Sequence, residues 1–404
     1  MTGLSFRTAL DGDLDRLIDL HTSAYPDPRG PLERRRNLVA NPRGTLDDLH
    51  VAIVDGQIVA HAFLFSMKGW FAGGAVPVGA IASVAVAPEA RGRGIATAML
   101  SHLHARADAA KACVTTLYPF RQGFYAKHGY AAVTPNRRLA LDPASIPAAW
   151  RVEPGITVRA PRTDAGGDRA AIERMYARAA ARGHGWLARP TALWDLFFAN
   201  ERRVWVLATR EERVIGYVCW SVVQEAVHAA THLVVRELAA DDDAARRALL
   251  GAVGAQRDQV VSVTIEVDAA DPLDRALLDA DRAHAGTPDV EHTLGVVAGG
   301  PMVRVVDVRR ALSTRRYLRD GSLDLAVDGA PLRIDVTKGK AKLSVPKQLR
   351  VLLGVDHATL GAILFGGLLP SDAARLGWAR GEDAAITHAD AILAAPPFFA
   401  LDGY

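Results

Sequence analysis
Residues Val84–Leu100 read VAVAPEARGRGIATAML. The apolar run ending at Val86 has the character of a strand, and Pro88 stops its ladder. The residues after Gly94 are mostly good helix formers. Between them, Gly92 and Gly94 let backbone N–H groups approach an anion that side chains would hold off. The helix N-terminus adds partial positive charge, and Arg91 and Arg93 add full charges beside it. This turn suits a pyrophosphate. A dinucleotide fingerprint would want a third glycine at position 97, which is Thr, and an acid about twenty residues on. That place reads VTTLY, Val114–Tyr118, with no acid. The Gly-Lys-Ser/Thr of a P-loop is also missing.

Around this turn the periodicities predict a β-α-β-β-β-α-β-α order. Leu4–Thr8 is a strand, and Asp11–Tyr25 is a helix with Leu14, Leu17 and Ile18 on one face. Leu49–Val54 and Gln57–Phe65 flank Asp55-Gly56, a two-residue hairpin signal. Val78–Val86 is a strand, Ala90–Ala110 a helix, Cys113–Leu117 a strand and Gly123–His128 a short helix. The order is that of an α+β sandwich with a mixed sheet.

A second copy follows roughly 150 positions later, the kind of internal repeat that reshapes a fold assignment. Ile156–Arg159 and Asp168–Arg182 match the opening strand and helix. Val204–Thr209 and Val214–Val223 bracket a charged turn, Glu211-Glu212, and His232–Val235 takes the place of Val84–Val86. A helix over Ala244–Gln256 comes next. Where the first copy has RGRGIAT, the second has REL and then AADDDAA. Three aspartates at a helix N-terminus repel a phosphate, so the second copy keeps the fold without the ligand. A third part opens at the breaker cluster Gly299-Gly300-Pro301. Val303–Val308 is a strand and Val308–Leu312 begins a helix. Ser322–Val327 and Leu332–Thr337 form a hairpin across Asp328-Gly329, and Leu343–Val345 follows. Helices are expected around Val351–Leu353 and Ala358–Leu364.

The 404 residues carry a net charge of +3, half are hydrophobic and 23% are charged. Such a chain is globular and multidomain. The balance argues against a nucleic-acid partner. Cys113 and Cys219 are the two cysteines, which excludes a disulfide framework and fits a reducing compartment. The N-terminus carries acids where a signal peptide needs basic residues. No window approaches the ~18 apolar residues of a membrane span, so a cytoplasmic protein is expected. No metal is expected, since the histidines are scattered. Arg34-Arg35-Arg36 reads as a solvated helix face, and LGAILFGGLL (360–369) as core packing.

With these elements in hand, the strand followed by R-G-x-G-x-A resembles the acyl-CoA site of the GNAT acyltransferase superfamily. Over essentially its full length the chain resembles the Eis (enhanced intracellular survival) family of N-acetyltransferases. That resemblance implies three parts. Residues 1–150 would be the catalytic GNAT domain, 151–297 a degenerate GNAT-like domain, and 298–404 a sterol-carrier-protein-like α+β domain. It implies acetyl-CoA as co-substrate, with pantetheine and thioester along Val84, Ala85 and Val86. The pyrophosphate would lie on Gly92, Arg93, Gly94, Ile95, Ala96 and Thr97, and a further contact would come from Phe120-Arg121. Gly92 stands where some relatives carry a third arginine. The same resemblance makes Tyr125 the general acid and the terminal carboxylate of Tyr404 the general base. A phenol with a pKa of about 10 is protonated at neutral pH and can give a proton to sulfur. The tail PPFFAL is too apolar for a solvated end, which suits a terminus threaded into the protein. Tyr130 reads as packing.

The resemblance further implies amine acceptors of polyamine type, aminoglycosides among them, and a homohexamer. A polycation prefers an acidic cavity, to which Asp402 and Asp27 could contribute. Protein lysines or other small amines are the alternative acceptors. A non-catalytic acyl-CoA or lipid-binding protein is the alternative of another class.

Overall fold
Asp55 and Gly56 both have positive φ, 49° and 78°, and close a hairpin as their sequence demands. The structure, a computed structural model, describes residues 3–25, 30–162, 167–224, 226, 229–278, 280, 293–346 and 353–404. Strand β1 is Ser5–Thr8, followed by helices α1, Leu14–Ala24, and α2, Gly30–Val39. Strands β2, Leu49–Val54, β3, Gln57–Phe71, and β4, Gly74–Val86, form an antiparallel meander. Helix α3, Ile95–Ala109, crosses back to β5, Val114–Leu117, which runs parallel to β4. Helix α4, Gln122–Ala126, follows. Leu17 and Leu20 of α1 and Leu100 and Leu103 of α3 are buried against this sheet. Helix α2 carries the arginine run expected on a solvated helix face. On it Arg35 and Arg36 are exposed, as a solvated face requires, but Arg34 is buried and donates to the Tyr25 carbonyl at 2.6 Å.

The second copy builds its own mixed sheet. Arg203–Arg210 and Arg213–Gln224 pair across Glu211-Glu212, both at positive φ. Thr231–Ala240 joins antiparallel to Arg213–Gln224 and parallel to Ser262–Val267. Helix Asp243–Gly254 packs on these strands through Leu249 and Val253.

The two sheets exchange strands. Asn136–Leu141, within the first 150 residues, pairs in the second sheet between Ser262–Val267 and Gly295–Ala298. Met302–Val305, from the far side of the second copy, pairs in the first sheet between β5 and Ala131–Ala132. Each sheet is thus completed by a strand from the other side of the junction.

The third sheet runs Lys340–Ser344, Ala330–Thr337, Gly321–Val327, Leu353–Val355, Ala379–Arg380. The expected hairpin across Asp328-Gly329 is present. The helix expected around Val351–Leu353 is corrected in part. Leu353 opens a strand, parallel to Gly321–Val327, and residues 351–352 lie outside the described residues. An apolar run of that length serves either element, and pairing decides it. Helix His357–Phe365 is buried from Thr359 through Phe365, so the LGAILFGGLL tract is core as far as Gly366, and its end at Leu369 is exposed. Its core is continuous with Phe71, Val76 and Val303 of the first sheet. The three units are therefore packed on one another.

Buried histidines give the fold a pH dependence. His61 and His184 are fully buried, and loss of hydration pushes both down to about 3. Their ordinary value is near 6.5, so on acidification the unfolded chain takes up protons before the folded one does. The stability they contribute is whole above about pH 6.5 and is lost as the pH falls toward 3. The two together are expected to cost about 3 kcal/mol between pH 7.5 and 5.5, at about 1.4 kcal/mol per pKa unit for each group. Urea unfolding at the two pH values measures this. Equal free energies would refute it, and His61→Leu should flatten the slope.

Candidate active site
Beyond Ile81, which pairs with Leu117, β4 and β5 no longer pair, and a cleft opens between them. A register shift between β3 and β4 opposite His61–Phe63 leaves Ser83 and Val84 bulged, with Ser83 at φ 52°. A bulge of this kind turns backbone groups out of the ladder toward a ligand. Tyr25 Oη donates to the Val84 carbonyl at 3.0 Å and holds the bulge from α1.

The turn after β4 takes the form the glycines allow. Gly92 and Gly94 have φ 75° and 76°, and Gly94 caps α3 with no side chain in the way. A Cβ on Gly92 would meet nothing, so its conformation, not crowding, requires glycine. Arg91 Nε donates to the Val86 carbonyl at 3.2 Å and ties the turn to the strand. The first-turn N–H groups of α3 at Ile95, Ala96 and Thr97 have no intrahelical acceptor. They face a groove of about 610 Å³ lined by Val84, Val86, Gly92, Gly94, Phe120, Arg121 and Tyr125, among others. Two expected contacts lie elsewhere. Arg93 is exposed and not part of the groove lining, and the Ala85 side chain is in the core, leaving only its backbone for a ligand.

A second cavity of about 600 Å³ lies on the other side of the strand gap, lined by His21, Tyr25, Glu33, Ser83, Tyr125 and Tyr404, among others. Tyr125 lines both spaces. Its residue is 2% exposed, and burial pushes its phenol up to about 12, so it stays protonated at neutral pH. Among the described residues the hydroxyl has no hydrogen-bond partner, whereas the Tyr130 hydroxyl lies 3.0 Å from Thr115 Oγ1 and 2.9 Å from His104 Nε2. The Tyr125 hydroxyl is thus uncommitted among the described residues, and the Tyr130 hydroxyl is engaged.

The tail reaches the same cavity through anchors that sequence reasoning missed. Phe399 N–H donates to the His184 carbonyl at 2.9 Å, and Asn136 Nδ2, on the exchanged strand, donates to the Ala400 carbonyl at 3.0 Å. Tyr118 Oη donates to the Asp402 carbonyl at 3.1 Å. Tyr404 Oη donates to Thr116 Oγ1 on β5 at 2.7 Å. The Asp402 carboxylate, expected to contribute to an acidic acceptor cavity, does not line that cavity. It takes Arg189 Nε at 3.0 and 3.1 Å and Tyr176 Oη at 2.8 Å, and Arg189 also grips Glu237. A buried guanidinium claims that charge more strongly than solvent-facing space can. Asp27 lies outside the described residues.

Among the described residues no group of three or more His, Cys, Asp or Glu could hold a metal, and no helix is long and apolar enough to cross a membrane. Both cysteines are buried and free.

The Acetyltransferase (GNAT) domain family matches residues 5–133, and a second version of it matches residues 185–305. N-acetyltransferase Eis of Mycobacterium tuberculosis (strain ATCC 25177 / H37Ra) is 27% identical over 323 residues, 76% of this chain and 75% of that protein. A GCN5-related N-acetyltransferase from Anabaena variabilis ATCC 29413 shares the fold with a TM-score of 0.81 and 20% identity, over 98% of this chain and 100% of that one. Eis1 from Mycobacterium abscessus does so with a TM-score of 0.76 and 22% identity, over 99% and 100%. With a phosphate-suited turn in the first domain, acids in its place in the second, and these matches, the chain belongs to the GNAT acetyltransferases, as a tandem-domain homologue of the Eis N-acetyltransferases.

Proposed function
We propose that the chain transfers acetyl groups from acetyl-CoA to primary amines of polyamine-like substrates, aminoglycosides among them. The observation that carries this reading is the place of Tyr125, at the wall shared by the phosphate-suited groove and the cavity that Tyr404 enters. The groove suits acetyl-CoA: two left-handed glycines, a helix N-terminus and Arg121 surround it, and acetyl-CoA supplies an acyl thioester there. Gly92, Gly94, Ile95, Ala96 and Thr97 hold its phosphates, and the backbone of Val84 and Val86 runs along its pantetheine. Tyr125 gives its proton to the departing sulfur as the C–S bond breaks. The α-carboxylate of Tyr404 takes the proton that the amine sheds as the C–N bond forms. The Tyr404 phenol cannot serve, since burial raises it well above the ordinary value and it already donates to Thr116. Glu33 on the cavity wall offers a polycation one carboxylate.

In this reading residues 1–150 are catalytic, 151–297 are the copy without a cofactor turn, and 298–404 form a sterol-carrier-like unit that delivers the tail. The assembly is a cytoplasmic hexamer. Release of free thiol from acetyl-CoA with kanamycin, with a lysine-containing peptide and with no amine tests the reading. Thiol release stimulated by kanamycin is expected. Release with the peptide alone would move the acceptor to protein lysines, and CoA binding without amine-dependent release would make the chain a non-catalytic binder. Deleting Tyr404 is expected to lower kcat by about 10²-fold or more, the lower range of proton-transfer catalysis, in a chain that still folds. Unchanged kcat in that variant would remove the terminal carboxylate from the mechanism.

A further inference from the structure
We infer that the second domain holds a ligand cleft of its own, for a small organic anion with a flat ring. Thr231–Ala240 and Ser262–Val267 pair in parallel only from His232–Val234 to Ser262–Thr264. Beyond that point they separate around a cavity of about 710 Å³, bounded by Val235–Leu238 and Ile265–Val267. β4 and β5 part in the same way around the groove of the first domain, so the two clefts occupy corresponding places in the repeat. They share no lining residue, and the segment Phe399–Tyr404 stands between them: Tyr404 faces the acceptor cavity, Phe399 and Leu401–Gly403 the second cleft.

Coenzyme A is a poor occupant. At the N-terminus of helix Asp243–Gly254 the Asp242 carboxylate accepts Ala245 N–H at 2.9 Å, where a phosphate would have to sit. Asp241 beside it is tied to Arg178 and Arg182. The charges inside the cleft favour a smaller anion. Of its acids, Glu237 and Asp402 share Arg189, Glu266 binds Arg138, and Asp271 binds Arg246. Asp268 accepts the backbone N–H of Ala270. Arg43, Arg203 and Arg236 also line the cleft; Arg43 is half-buried and feels the charge of Asp402, and among the described residues neither Arg203 nor Arg236 has a carboxylate partner. Arg236 donates to Ser221 Oγ at 3.3 Å. Arg203 lies 3.9 Å above the Phe197 ring, a contact that leaves its charge uncancelled. Trp186 and Phe399, with ring centroids 6.2 Å apart, give the cleft an aromatic wall. Two guanidinium groups beside such a wall fit an oxyanion attached to a planar ring, as an aryl carboxylate or an aryl phosphate carries it.

The test is titration calorimetry on the full chain with salicylate and with phenyl phosphate, and with benzyl alcohol as the uncharged ring. At least one anion is expected to bind, more weakly as salt rises, and the better of the two assigns the ligand as carboxylate or phosphate. The double variant Arg203→Ala/Arg236→Ala is expected to weaken binding at least tenfold while amine-dependent acetyl transfer persists. Saturating coenzyme A is expected to leave the affinity in place. Three results would overturn the inference: no heat with either anion, benzyl alcohol binding as well as the anions do, or displacement of the anion by coenzyme A. The last would place the anion in the first domain. None of the three depends on which amine the enzyme acetylates.

Discussion

Arg189→Met is expected to lower the unfolding free energy by about 3–5 kcal/mol, the usual cost of removing one partner from a buried ion pair. The Arg189 side chain is 1% exposed, Glu237 2% and Asp402 4%. The guanidinium also stacks over Tyr176, 3.9 Å from its ring, with Trp194 and Phe197 on its other sides. Without it two carboxylates remain in a low-dielectric site, hydrogen-bonded to the hydroxyls of Tyr176 and Tyr217. They must protonate or draw in water, and either loosens the tail at Asp402. Because Asp402 is two residues from Tyr404, acetyl transfer should fall together with stability. Urea unfolding and steady-state kinetics on the same preparation measure both. If the loss comes from stranded charge, adding Glu237→Gln and Asp402→Asn to Arg189→Met should recover most of the stability, because neutral amides are cheaper to bury. Recovery of stability without recovery of kcat would separate the fold's use of this network from the enzyme's use of it. An Arg189→Met chain as stable as the parent would refute the account.

What the sequence disclosed and what it withheld divide along a physical line. The hairpin at Asp55-Gly56, the left-handed glycines Gly92 and Gly94, and the acids capping Asp243–Gly254 are local features. Their conformations follow from a few adjacent residues, and each was legible before the fold was known. The second copy was legible because repetition preserves pattern even where the glycine turn is gone. The strand exchange was not. Asn136–Leu141, NRRLAL, is not among the expected strands, and Met302–Val305 falls largely within the expected strand Val303–Val308, but which sheet a strand joins depends on register with partners far away in the chain. Phase along the strand carries no address. The Arg189 network was equally hidden, because Arg189, Glu237 and Asp402 converge from three separate segments. No spacing in the sequence marks them as partners, and Asp402 consequently looked like a free acid for an amine. Tyr25 escaped for the same reason. It ends a helix whose apolar face was evident, but its hydrogen bond to the Val84 carbonyl crosses 59 positions.

The exchange also bears on why a copy without a cofactor turn persists in the chain. Met302–Val305 lies between β5 and Ala131–Ala132, so the first sheet is incomplete without residues that follow the second copy. The second sheet in turn needs Asn136–Leu141, whose Asn136 also holds the tail at Ala400. The second copy therefore serves the first as scaffold, whatever its own cleft binds. Tyr125 and the chain's tail at Tyr404 line one cavity because the middle of the chain is woven into both sheets.

Tyr125→Phe is expected to lower kcat by about 10²- to 10³-fold, within the range usual for loss of a positioned proton donor, while KM for acetyl-CoA stays within about twofold of the parent. The phenyl ring retains its edge contacts with Phe120, Phe124 and Tyr130, at 6.2, 5.1 and 6.0 Å between centroids, so packing should survive. What is lost is one proton at the boundary between the cofactor groove and the acceptor cavity. Burial holds the parent phenol near 12, which fixes the sign of its pH behaviour. The donor is protonated at every pH the fold tolerates, so Tyr125 contributes no alkaline limb to kcat below about pH 11, one unit under that value. An alkaline fall near pH 9 would have to come from another group and should persist in Tyr125→Phe. The same donor predicts a dependence on the leaving thiol. An acetyl thioester of a more acidic thiol needs less protonation at sulfur and should suffer a smaller loss in the variant. If Tyr125→Phe keeps kcat within twofold, or if its loss is the same for both thioesters, the proton reaches sulfur by another route and Tyr125 only shapes the wall.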